Sequence, residues 1–116
     1  DLGPAAESSV DYPDFGVKLA TALQQDDEGY GIAICGSGIG ISMALNRFSW
    51  VRAALVSDPL AAALARQHND ANVLALGERL IEPDLAKQCV DHFLGTEFEG
   101  GRHQRRVAKL SQIGEK

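Results

Sequence analysis

Cysteine is scarce in this chain. Its 116 residues contain two, Cys35 and Cys89, far apart and without a CxxC spacing around either. That argues against a disulfide framework and against a structural zinc site. Long apolar runs are missing as well. Nothing approaches the roughly 20 residues needed to cross a bilayer, and no basic-then-apolar leader stands at the start. The expectation is a soluble, cytoplasmic protein with no membrane partner. Basic charge is in deficit, with 11 Lys and Arg against 16 Asp and Glu and a net charge of -5. This speaks against nucleic-acid binding as the main activity. A few arginines gathered in one cleft could still hold a small anion. Internal repeats and low-complexity stretches are absent too.

What is present suffices for one domain, residues 1–116, with one modest core. Hydrophobic residues make up 45% of the chain, an ordinary globular share. Asp1 to Pro4 reads as the end of a strand, and Ala5 to Val10 as a loop. Tyr12 to Gln25 reads as a helix, with Asp11 as N-cap and Pro13 in the first turn. The nearly continuous apolar runs Tyr30–Cys35 and Val51–Val56 predict strands buried on both faces, and Asn72–Leu76 a third strand, stopped by Gly77. Between and after them, helices are expected at Ile39–Arg47, Pro59–His68 (capped by Ser57 or Asp58), Pro83–Leu94 and Arg102–Ile113. Strand and helix alternate. This predicts an α/β fold: a three-layer, Rossmann-like parallel sheet with right-handed crossovers. Ligands of such sheets bind beyond the carboxyl ends of the strands, here after Cys35, Val56 and Leu76.

The stretch Ile34-Cys35-Gly36-Ser37-Gly38-Ile39-Gly40-Ile41-Ser42 joins a strand to a helix N-terminus, where unpaired amides and the helix dipole favour negative charge. Ile41 occupies the place of the last glycine of a dinucleotide fingerprint, and a Walker A lysine is lacking. Two readings remain: an oxyanion or phosphate nest, and a purely structural tight turn. Cys35 also has two readings. A free cysteine at the end of a buried strand is commonly a small hydrophobe, whereas amide donors facing it can stabilise a thiolate. Cys89 lies mid-helix and reads as core. His68 closes a helix, where histidine often only complements the dipole; it could also serve a site across a dimer interface. Arg102 and Arg106 are one helical turn apart and can grip a phosphate together, unless the segment is a solvated basic turn. Arg79, after the third strand, is a further anion contact.

Taken in order, "ESSVDYPDF", "ICGSGIGISMALN", "RAAL", "ARQHNDANVLALGERLI" and "TEFEGGRHQRRV" resemble the type B ribose-5-phosphate isomerases and the related galactose-6-phosphate isomerase subunits. The resemblance implies an aldose–ketose isomerase of the pentose phosphate pathway. It would interconvert ribose 5-phosphate and ribulose 5-phosphate through an enediolate, with no metal and no organic cofactor. It implies Cys35 as the base. The amides of Gly36, Gly38, Ile39 and Gly40, with the Ser37 hydroxyl, would stabilise the enediolate. It further implies His68 as the acid that opens the sugar ring and Asn69 as a ligand for substrate hydroxyls. Arg79, Arg102 and Arg106 would hold the phosphate, with His103 nearby and Tyr12 lining the site. A homodimer, or a tetramer, with sites at the subunit interface is implied. So is a preceding unit of roughly thirty residues, one strand and one helix in size, that carries an Asp-His pair. Without that unit the expectation is poor folding or no turnover. The alternatives are a six-carbon sugar-phosphate isomerase (galactose or allose 6-phosphate) and a noncatalytic sugar-phosphate-binding fragment. A thiol redox protein is disfavoured, because Cys35 has no resolving cysteine near it.

Overall fold

The structure, a computed structural model, describes residues 11–113; the strand end and loop expected within 1–10 lie outside them. Eight elements follow one another: α1 (Tyr12–Gln24), β1 (Gly31–Cys35), α2 (Ile39–Leu45), β2 (Ala53–Leu55), α3 (Pro59–Asn69), β3 (Val73–Gly77), α4 (Pro83–Leu94) and α5 (Arg102–Gln112). None of the described helices is long and apolar enough to cross a membrane.

The three strands are parallel, in the order β1-β3-β2. β3 is central and buried along its whole length. Its side chains alternate between two apolar clusters. Leu74 and Leu76 point into one with Val56, Ala62, Ala65, Ala71, Cys89 and Phe93, supplied largely by α3 and α4. Val73 joins the other with Ala20, Leu23, Ala33, Ile41, Leu45 and Val51, supplied largely by α1 and α2. Helices therefore cover both sides of the sheet, which is the expected α/β/α layering.

The strand expectations need two corrections. β1 is not buried on both faces: Gly31 and Ala33 are, but Ile32 and Ile34 are exposed. Helices α1 and α2 cover the Gly31–Ala33 side, while α3 and α4 sit over β2 and β3 and leave the other face of β1 open. The ladder shows the same edge. Gly31 N–H donates to Asn72 O, and Glu78 N–H donates to Cys35 O, so the odd-numbered residues face β3 in the parallel pattern. Ile32 and Ile34 turn their backbone groups the other way. β2 is also shorter than Val51–Val56, and Leu55 is exposed.

Capping was half legible. Asp58 accepts from Ala61 N–H at 2.9 Å and starts α3 as expected. Asp11 holds the N-cap position of α1 but makes no side-chain cap bond; Pro13 supplies the first-turn φ instead. α2 ends at Leu45, two residues short of Arg47.

The C-terminal end of α3 is fixed with unusual thoroughness. Arg66 is only 4% exposed. Its guanidinium donates to Asp70 Oδ1 (2.8 Å), Ala71 O (2.7 Å), Tyr30 Oη (3.0 Å) and Thr96 O (3.3 Å), and it stacks over the Tyr30 ring. Asp70 takes a left-handed conformation (φ 48°), which aspartate tolerates better than most residues. A buried cation is stable only when its donors are satisfied, and this network anchors the turn that carries His68 and Asn69.

Cys89 is fully buried. Burial first, and the Asp58 carboxylate second, push its thiol up from the ordinary 9.0. The contribution to stability is thus fully present below 9.0 and is lost as pH rises from there through the raised value. At pH 8, a thiol-specific chromogenic disulfide is expected to modify one cysteine per chain, the half-buried Cys35, and both after guanidinium unfolding. Rapid native modification of both would contradict the burial of Cys89.

Candidate active site

At the carboxyl end of the sheet, β1 stops at Cys35 and the glycine loop turns into α2. Cys35 lies on the face of β1 that packs toward α1 and α2. It also borders an open groove of about 750 Å³ with Tyr12, Phe15, Gly36 and Glu78 among its walls. Among the described residues, the amides of Gly36, Ser37 and Gly38 meet no acceptor. Those of Gly40 and Ile41 belong to the first helical turn, where no intrahelical partner exists. Ser37 Oγ accepts from Ile39 N–H at 3.2 Å, which leaves its own O–H free to donate outward.

Close approaches place two more expected residues here. A methyl group on Gly36 would stand 3.3 Å from Arg79 Cζ, and one on Gly40 only 2.7 Å from Tyr12 Cζ. Arg79 therefore lies against the loop from one side and the Tyr12 ring from another. Arg79 N–H also donates to Gly36 O at 3.0 Å. Gly38 has φ 76°, a conformation that favours glycine.

Gly77, read in the sequence only as a strand stop, shapes the loop as well. A methyl group there would collide with the Ser37 carbonyl and lie 2.6 Å from its carbon. Gly77→Ala is expected to cost about 1–3 kcal/mol, as for an overpacked core position, and to move the loop off Cys35. Urea unfolding checks the first effect. A variant of unchanged stability would mean that the loop yields freely.

The remaining expected residues gather elsewhere. His68, Asn69, His103 and Arg106 line a second groove of about 430 Å³, with Val107 and Leu110. It sits where α3 ends and β3 has yet to begin, at the amino end of the sheet. Arg102 precedes His103 at the start of the same helix, α5. The His68 and His103 rings stack 4.3 Å apart. Burial first, then charge on His68 and on Arg102, push His103 down from its ordinary 6.5. Both Nε2 atoms face Glu99 Oε1, at 3.8 and 3.9 Å. Sequence reasoning passed over Glu99, because "TEFEG" carries no periodic pattern.

Thus one chain brings Cys35, Gly36, Ser37, Gly38, Ile39, Gly40, Tyr12 and Arg79 together, and His68, Asn69, His103 and Arg106 together, at opposite ends of one sheet. The three arginines do not meet. Arg79 belongs to the first group, and Arg102 and Arg106 to the α5 end.

The family profile described as Ribose/Galactose Isomerase matches residues 1–110. The chain belongs to the ribose/galactose isomerase family. Within this family of aldose–ketose isomerases, it is 46% identical over 113 residues to ribose-5-phosphate isomerase B of Escherichia coli (strain K12), covering 97% of this chain and 76% of that protein. A crystal structure of a ribose 5-phosphate isomerase from Thermotoga maritima superposes with a TM-score of 0.92 at 47% identity, covering 96% of this chain and 77% of that one. The ribose-5-phosphate isomerase B of Mycoplasma genitalium, solved with bound ribulose-5-phosphate, gives 0.94 at 44% identity and covers 100% of this chain and 78% of its own. The likeness extends to the whole described α/β/α unit, and the family members are longer by about a quarter of their own length.

Proposed function

We propose that this chain interconverts ribose 5-phosphate and ribulose 5-phosphate, with Cys35 as the base and the glycine loop as the enediolate cradle. The observation that carries the reading is the 44%-identical Mycoplasma genitalium structure with ribulose-5-phosphate bound. The relatives' names favour the five-carbon sugar over a six-carbon one.

In this reading the Cys35 thiolate removes the proton from C2 of the open-chain aldose, and the electron pair moves onto the C1 oxygen. Backbone amides of Gly36 to Gly40 and the free Ser37 O–H stabilise the resulting enediolate. Cys35 returns the proton to C1 while the C2 oxygen becomes the new carbonyl and a proton passes from it to the C1 oxygen. His68 opens the ring beforehand, Asn69 holds substrate hydroxyls, and Arg102 and Arg106 grip the phosphate with His103.

The two clusters stand at opposite ends of β3, whose five residues span about 17 Å at roughly 3.3 Å each. Ribose 5-phosphate has about seven bonds of roughly 1.5 Å from C1 to a phosphate oxygen and cannot bridge that distance. The site is therefore shared: Cys35 and its loop from one subunit, His68 and α5 from a second copy. A two-fold homodimer with two such sites satisfies this. Isomerisation measured for Cys35→Ala tests the central assignment.

A further inference from the structure

Three side chains, His68, Glu99 and His103, converge where α3 ends. Glu99 N–H donates to Gln67 O at 3.0 Å and pins its irregular segment beside His68. His103 stands one turn further, at the start of α5. The imidazoles stack with planes inclined by 15°, and each Nε2 lies within 3.9 Å of the same Glu99 oxygen. One donor atom from each of the three residues lies within 4.8 Å of the others. The separations of 3.8 and 3.9 Å to Glu99 Oε1 are too long for hydrogen bonds. Among the described residues, none of these three side chains donates or accepts a hydrogen bond of ordinary length, so their lone pairs are uncommitted.

We propose that His68, Glu99 and His103 form a reversible binding site for a divalent transition metal of the zinc class. Two imidazoles and a carboxylate make a three-ligand set that leaves a fourth position open. Two nitrogen donors out of three select zinc and its neighbours over magnesium and calcium, which prefer oxygen. With bonds of about 2.0–2.1 Å, a tetrahedral site needs donor separations of about 3.4 Å, so each carboxylate–imidazole pair closes by about half an ångström and the stacked imidazoles tilt apart until both Nε2 lone pairs meet at the metal. Exposed Glu99 and half-exposed His68 have room to make that movement. Arg106 lines the same groove, and its charge opposes a cation, which keeps the affinity modest and the binding reversible. The consequence for catalysis rests on the proposed function: a metal on both Nε2 atoms takes the ring-opening acid and its phosphate-side neighbour out of use, and so inhibits isomerisation.

The test titrates Zn²⁺ into the untagged protein by calorimetry and uses Co²⁺ as a visible-absorbing probe. One metal per chain is expected, with a cobalt absorption band that a chelator removes. Glu99→Gln keeps the size of an exposed side chain and is expected to weaken Zn²⁺ binding about tenfold or more, on the scale of lost metal-site partners. His103→Asn, checked by circular dichroism, is expected to do the same. Absence of stoichiometric binding, or a wild-type affinity in both variants, overturns the site. Inhibition is read separately. Zinc that binds as described but leaves isomerisation untouched supports the metal site and overturns the role given to His68.

Discussion

Cys35→Ala is expected to lower kcat/KM for ribose 5-phosphate isomerisation on the order of 100- to 10,000-fold, the range for loss of a general base. That corresponds to about 3–5 kcal/mol of transition-state stabilisation. The substitution is small and the site half-buried, so folding should survive it. Cys35 packs against the α1–α2 cluster only from its margin, and loss of a sulfur there costs far less than loss of a large core side chain. The effect should fall on kcat with little change in KM, because in the proposed reading the thiol acts on the reacting carbons and the phosphate is gripped elsewhere. Cys35→Ser separates shape from chemistry. It keeps the volume but supplies a far weaker base at neutral pH, so it should resemble alanine. Near wild-type turnover in either variant would remove Cys35 from the mechanism and return it to the role of a small hydrophobe at a strand end.

The order of elements was readable in the sequence because each signal is local. The 3.6-residue pattern of α1, the prolines opening α3 and α4, and the apolar run of β3 act within a few residues. What failed depends on distant partners. Whether Ile32 and Ile34 are buried is decided by which helices lie over β1, and that follows from the sheet order β1-β3-β2, on which a single apolar run is silent. The requirement for glycine at Gly77 comes from Ser37, which belongs to a different crossover.

The candidate site divides along the same line. The Cys35 loop is contiguous in sequence, and its place beyond a strand's carboxyl end follows from the fold class. His68 could be placed at the opposite end from sequence alone, since β3 must begin just after α3. That Glu99 joins His68 and His103 needed coordinates, because the contact depends on how the irregular segment after α4 lies along α3.

The division makes a mixing experiment decisive. If the site is shared as proposed, Cys35→Ala and His68→Ala are each expected to be strongly impaired as pure homodimers, since every site would lack either its base or its ring-opening acid. When the two variants are mixed and allowed to exchange subunits, a heterodimer contains one doubly impaired site and one fully wild-type site. The intact site takes Cys35 from the His68→Ala chain and His68 from the Cys35→Ala chain. Random exchange makes half of the dimers mixed and half of their sites intact, so activity should recover to about a quarter of wild type. If both residues served a site within one chain, every site would keep its defect and mixing would restore nothing. The recovery should grow at the rate of subunit exchange and should fail between Cys35→Ala and Ser37→Ala, which lie in the same loop and damage the same half of the site. Either a quarter-scale recovery in that control pair or none in the first pair would contradict a site shared across two subunits.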